Sequence, residues 1–132
     1  MTRVLICDDA LAFATLVRHW LSDCSDVEVV GVSSSGEQVL EDVPALRPDV
    51  VLLDHVLYDV PGGSAELAPR LRELHPGVAI VLMSGMPSPD LATFAARCRA
   101  EAHVSKACKP EQLHHAVREA AARGRRTTAQ PA

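Results

Sequence analysis

Five short apolar runs recur along the chain, separated by stretches whose apolar residues follow a three-and-four spacing. The runs Arg3–Cys7, Val27–Val32, Val50–Leu53, Val78–Met83 and Ala102–Val104 are rich in Val, Leu and Ile and predict buried strands. The stretches between them predict helices. The first carries Phe13, Leu16, Val17, Trp20 and Leu21 on one face. The second carries Val39, Leu40 and Val43, opened by Ser35-Gly36 and closed near Pro48. The third carries Leu67, Leu71 and Leu74, with Pro69 among them. An interior proline removes a hydrogen bond and clashes with the preceding turn, so this helix is expected to start near Pro69 or to have a distorted first turn. The fourth opens with Ser88 as N-cap, Pro89 at its first position and Asp90 in its first turn, then buries Leu91, Phe94, Ala95 and Cys98. The fifth starts at Pro110, carries Leu113, Ala116, Val117 and Ala120, and has Gly124 as its expected C-cap. Strands alternating with helices through short connections imply a parallel sheet covered on both faces.

Four polar positions fall where apolar runs stop: Asp8-Asp9, Asp54, Ser84 and Lys106. In a doubly wound parallel sheet the ligand crevice lies outside the carboxyl ends of the strands. All four strands therefore deliver their polar residues to one edge. Carboxylates packed that closely raise each other's pKa unless a positive charge sits between them. A hard divalent cation with oxygen ligands answers that need, and Mg²⁺ usually comes with phosphate.

At 132 residues the chain suits one domain, taken as residues 1–124, with RRTTAQPA (125–132) expected to be a disordered tail. A net charge of −4 and 3% aromatic residues argue against direct nucleic-acid binding. No signal-peptide pattern opens the chain and no run is long enough to span a bilayer, so the expected location is cytoplasmic. Cys7, Cys24, Cys98 and Cys108 lack metal or redox spacing and read as reduced thiols. Each polar position also has a plain reading. Asp8-Asp9 serves as a helix N-cap, Ser84 as a turn residue and Lys106 as a solvated charge. His55 reads as packed or surface-lying, His114-His115 as solvated, and Arg97, Arg99, Arg123, Arg125 and Arg126 as ordinary surface charges.

Taken together, Asp8-Asp9, Asp54 with Gly62 eight residues on, Ser84 thirty residues after Asp54, and Lys106 past the fifth strand resemble a response-regulator receiver domain of bacterial two-component signalling. The resemblance runs from Arg3 to about Gly124. It implies a flavodoxin-like, doubly wound α/β fold, (βα)5, with strand order 2-1-3-4-5. It makes Asp54 the acceptor of a phosphoryl group from a sensor histidine kinase or a histidine phosphotransfer protein. Asp8, Asp9, Asp54 and the Val56 backbone carbonyl would hold Mg²⁺. Lys106 would contact the phosphoryl oxygens, Ser84 would be the switch hydroxyl, and His103 would occupy the position of the usual switch aromatic. The signal would leave through the face made by the fourth helix, fifth strand and fifth helix. It would reach a downstream protein, an output domain or a second copy of the chain, with no membrane and no nucleic acid bound directly.

The chain departs from the usual pattern at several positions. Tyr58 stands where proline is usual, with Pro61 three residues later, so the loop after Asp54 is expected to take a different path. Ala107 follows the lysine in place of proline, and KACKPEQL is similar to receivers that precede a helix-turn-helix output domain. Val56 and Met86 stand where residues flank the approach of hydrolytic water, and neither can orient water by a hydrogen bond.

Three rival functions are weaker. A phosphatase of the haloacid-dehalogenase kind needs a second Asp where Val56 stands, so the chain is not expected to be a turnover enzyme. A flavodoxin-like mononucleotide binder needs a Gly/Ser/Thr-rich cradle where CDDALAF stands. A degenerate receiver would lack the phosphorylation groups that are present here. The leading expectation is a phosphorylation-controlled binding module; the alternative is the receiver portion of a DNA-binding transcriptional regulator.

Overall fold

The computed structural model describes residues 1–86 and 88–129; of these, the side chains of residues 88, 89 and 125–129 are not described. Five strands, β1 (Thr2–Cys7), β2 (Val27–Ser33), β3 (Val50–Asp54), β4 (Ala79–Ser84) and β5 (Ala102–Ser105), alternate with five helices. These are α1 (Leu11–Ser22), α2 (Gly36–Leu46), α3 (Ser64–Leu74), α4 (Ser88–Cys98) and α5 (Pro110–Ala129). The strands form one parallel sheet in the order β2-β1-β3-β4-β5, as the resemblance implies.

Every residue of β3 and β4 is buried, which explains their unbroken apolar character. Alternation along the strands sorts side chains into two cores. Val4, Ile6, Val50, Leu52 and Val81 face α1 and α5, where Val17, Leu21, Leu113 and Val117 meet them. Leu5, Cys7, Val51, Leu53, Ile80 and Leu82 face α2, α3 and α4, which supply Val39, Val43, Leu67, Leu71 and Leu91. Each large side chain fully buried this way contributes about 1.5–3 kcal/mol of transfer free energy.

The helix faces are narrower than the apolar spacing predicts. Leu16 and Leu74 are exposed although they keep the spacing of their stripes. Helix α3 begins at Ser64, so Pro69 is tolerated inside the helix and does not start it. Helix α2 is capped by Ser35, whose Oγ accepts from the Gln38 amide at 3.0 Å, and ends at Arg47 in a left-handed conformation before Pro48. Helix α4 begins at Ser88; the expected cap by the Ser88 and Pro89 side chains lies outside the described residues.

Helix α5 does not stop at Gly124 but runs on to Ala129, so residues 125–129 are helical and 130–132 lie outside the described residues. Gly124 is buried, and a Cβ there would come within 3.2 Å of Ala79 Cβ and 3.3 Å of the Gly77 carbonyl oxygen. It is a close-packing glycine between α5 and the start of β4. A second correction concerns His114, which the sequence suggests is solvated. Its Nε2 lies 2.8 Å from Asp26 Oδ1, and Arg118 Nε donates to Asp26 Oδ2 at 2.7 Å. This ties α5 to the turn before β2. Burial aside, Arg118 and then His114 hold the Asp26 carboxyl down at about 2. All four cysteines are free, with Cys7 and Cys98 buried. Among the described residues no helix is long and apolar enough to cross a membrane.

Candidate functional site

The carboxyl ends of β1, β3, β4 and β5 converge on one edge of the sheet. Asp8 follows β1 and its amide donates to the Ser33 carbonyl at 3.0 Å. Its Oδ1 accepts from the Ala10 amide at 2.8 Å, so this carboxylate fixes the turn into α1 and also faces the pocket. The plain reading of Asp8-Asp9 as the helix N-cap is corrected: Ala10 is the N-cap of α1 and no side chain caps that helix. Asp9 is exposed beside it. Asp54 ends β3 with only 6% of its surface exposed, and its Oδ1 accepts from the Val56 amide at 3.3 Å. One oxygen from each of Asp8, Asp9 and Asp54 fits within 4.8 Å, the only such carboxylate, His and Cys grouping among the described residues.

Lys106 reaches this cluster from the loop after β5, where its amide donates to the Ser84 carbonyl at 2.9 Å. Its Nζ lies 2.9 Å from Asp8 Oδ2 and 3.4 Å from Asp54 Oδ2. It also stands 4.8 Å from the centre of the Phe13 ring, a cation–π distance. Burial opposes the Lys106 charge, but Asp8 and Asp54 outweigh it and hold the ammonium above its ordinary pKa. The Asp54 pKa is also raised, here against the charged form: burial first, then the Asp8 charge, lift its carboxyl to about 6 despite Lys106. Cys7, beneath the cluster, is driven well above the usual thiol range by burial and then by Asp54 and Asp8, and stays a neutral thiol.

Ser84 is buried at the end of β4, and its Oγ accepts from the Met86 amide at 3.1 Å. The hydroxyl thus braces the β4–α4 turn. Met86 is half-buried and packs against the core on the α2, α3 and α4 side. Val56 is 47% exposed and Tyr58 is 88% exposed on the loop beyond Asp54. His103 is exposed on β5. It lines a groove of about 590 Å³ shared with Leu91, Cys108, Glu111, His115 and Glu119.

His55 points away from the carboxylates, as its position at the strand end implies. Its Nδ1 lies 3.0 Å from Ser64 Oγ and its ring centre 4.3 Å from that of Phe94, so it joins β3 to α3 and α4. Burial lowers its pKa. Two contributors escaped the sequence reading. Phe13 reads as a core residue of α1, yet its ring also lies against the lysine. Asp59 carries no motif signal except that it lies five residues after Asp54, yet its carboxylate accepts from the Gly36 and Glu37 amides and ties the loop after Asp54 to α2.

The donor set is all oxygen, and three carboxylates face a single ammonium. Burial and the Asp8 charge raise the Asp54 pKa, and an all-oxygen cluster of this kind suits a hard divalent ion. Mg²⁺ fits this chemistry, and Asp8, Asp9 and Asp54 are the carboxylates that could hold it.

A family model described as the response regulator receiver domain matches residues 4–118. The chain is 30% identical over 119 residues to the response regulator GacA of Pseudomonas viridiflava, covering 89% of this chain and 54% of that protein. It is 33% identical over 120 residues to the nitrate/nitrite response regulator NarL of Escherichia coli K12, covering 90% of this chain and 54% of NarL. The chain thus spans about half the length of these curated relatives. Among solved structures, the signal receiver domain of a putative NarL from Mycobacterium tuberculosis superposes with a TM-score of 0.82 at 28% identity. That match covers 92% of this chain and 96% of the other.

Proposed function

The chain belongs to the response regulator receiver domain family, and on that premise we propose that it is a phosphoacceptor switch with Asp54 as the acceptor. The observation that carries this reading is a buried Asp54 carboxylate flanked by Asp8 and by the Lys106 ammonium. An Asp54 oxygen attacks the phosphorus of a phosphohistidine on a sensor histidine kinase or a histidine phosphotransfer protein. The P–N bond breaks, the imidazole leaves and takes up a proton, and an acyl phosphate remains on Asp54. Asp8, Asp9, Asp54 and the Val56 carbonyl would hold Mg²⁺, which when bound would supply positive charge to neutralise the transferring group. Lys106 shifts from Asp8 toward the phosphoryl oxygens. Ser84 releases the Met86 amide to donate its proton to one of them, and His103 follows on β5.

The protein returns to its starting state by hydrolysis and does not act as a turnover enzyme, since Val56 supplies no acid or base. It works in the cytoplasm and passes its state to a partner through the α4–β5–α5 face, which includes the groove at His103. Because the chain spans about half of GacA and NarL, a second reading is that it is the receiver portion of a longer DNA-binding regulator.

Intact-protein mass spectrometry after incubation with acetyl phosphate tests the acceptor. One phosphoryl addition is expected with Mg²⁺ or Mn²⁺, none with a chelator, and none in Asp54→Asn. Equal labelling of Asp54→Asn would remove Asp54 from this role.

A further inference from the structure

The loop between β3 and α3 is fastened to the start of α2 by one side chain. Asp59 Oδ1 accepts from the Gly36 amide at 3.0 Å, and Asp59 Oδ2 accepts from the Glu37 amide at 3.0 Å. The first amides of a helix have no partner within it, and they favour a negative charge. Here the partner comes from 23 residues further along the chain. Ser35 takes the next amide, that of Gln38. Both carboxylate oxygens of Asp59 are thus used, and these backbone amides lower its pKa. The approach is close: a Cβ at Gly36 would overlap Val60 Cγ2, so with valine at position 60 it is the glycine that lets α2 meet this loop.

The loop is the segment that carries Val56. It leaves β3 at Asp54 and returns where the Ser64 amide meets the His55 carbonyl. Leu57 and Val60 are buried, and the Val60 amide donates to the Leu57 carbonyl at 3.2 Å. Between them Tyr58 faces solvent and Asp59 grips α2. No proline stiffens residues 55–60; Pro61 comes only after the grip. The backbone of Val56 is held on one side by β3 and on the other by this anchored turn.

We propose that Asp59 is a positioning residue: its clamp on the α2 N-terminus sets the path of the loop after Asp54 and so places the Val56 backbone at the acidic pocket. The inference rests on the receiver reading for its consequence at the metal, but the clamp itself can be read without metal. Asp59 is not one of the clustered carboxylates, and both its oxygens are taken by backbone amides. It acts through the loop, as partners that orient ligands do.

Three variants separate this role from simple helix capping. Asp59→Ala removes the clamp. Asp59→Asn keeps an acceptor for one amide. Ser35→Ala removes a cap bond of the same helix without touching the loop. Hydrogen exchange without metal should quicken at Val56, Gly36 and Glu37 in Asp59→Ala, less in Asp59→Asn, and not at Val56 in Ser35→Ala. Mg²⁺ titration by calorimetry should show affinity falling about tenfold in Asp59→Ala, the low end for groups that orient metal ligands. Asp59→Asn should fall between, and Ser35→Ala should stay within about twofold of the parent. If Asp59→Ala does not fold, Asp59→Asn carries the same comparison. Unchanged exchange at Val56 in the Asp59 variants overturns the proposal, as does an equal Mg²⁺ loss in Ser35→Ala. A parent protein that binds no Mg²⁺ overturns the receiver reading itself, and the exchange data then still judge the clamp.

Discussion

Lys106 sits closer to Asp8 than to Asp54, at 2.9 Å against 3.4 Å. Before phosphorylation the ammonium therefore neutralises a carboxylate that the proposed metal also needs. A lysine that competes with the ion and later serves the phosphoryl group makes opposite demands on the two steps.

Replacing Lys106 with Ala should separate those demands. Mg²⁺ should bind at least as tightly as to the parent, because a competing positive charge is gone. The phosphorylated protein should lose its conformational response. Calorimetric titration with Mg²⁺, together with amide chemical shifts around Ser84 before and after phosphodonor, reads both. A large fall in Mg²⁺ affinity would mean that Lys106 organises the pocket.

Asp54→Asn should stabilise the metal-free protein. The Asp54 carboxyl is raised from 3.8 to about 6 on folding, so the folded state holds its proton more tightly than the unfolded chain. The resulting penalty is absent below about pH 4, grows through about pH 6 and is complete above it. A shift of that size corresponds to at most about 3 kcal/mol at neutral pH. Urea unfolding of parent and variant at pH 4 and pH 7.5 should show a gap only at the higher pH. Excess Mg²⁺ should then close the gap by stabilising the parent more. A gap that is the same at both pH values argues against titration of Asp54.

Asp26→Asn should lower the melting temperature at pH 6 by cutting the link from α5 to the turn before β2. The folded Asp26 pKa of about 2 lies below the ordinary 3.8. Its stabilising effect is therefore full above about pH 4 and disappears as pH falls through 2. Thermal scans of parent and variant should converge at low pH. Added salt should narrow the difference at pH 6, since the pair is partly exposed. Equal melting temperatures at pH 6 and low salt would show that the link contributes nothing.

The acyl phosphate should decay slowly. Val56 is half-exposed beside the pocket and apolar, and Met86 is half-buried against the core, so neither side chain can orient an attacking water. Val56→Asn, which changes an exposed position with no core role, should speed decay several-fold more than Met86→Gln does. Loss of the added phosphoryl mass is followed after the phosphodonor is removed. Rapid decay in the parent, unaltered by Val56→Asn, would contradict this account.

Much of the fold is legible in the sequence because β3 and β4 are buried on both faces, and such strands announce themselves as unbroken apolar runs. The pocket is legible because its polar residues interrupt those runs at one end of the sheet. What escapes is set by distant partners. His114 looks solvated until Asp26, 88 residues away, is placed beside it. Gly124 has the local signature of a helix end, and only the nearness of Ala79 and Gly77 shows that it serves packing. Asp59 is one acidic residue in a loop, and its two amide partners belong to another helix. Leu16 and Leu74 keep the right spacing, but spacing alone does not say how wide a stripe the sheet covers.

Gly36 and Val60 occupy what is nearly one volume, at the junction that Asp59 secures. The two positions consequently cannot vary independently. In a library randomised at both, alanine at position 36 should be recovered together with a residue smaller than valine at position 60, and seldom without one. Such pairwise dependence would appear as epistasis between sites 24 residues apart, even where each single change looks conservative on its own.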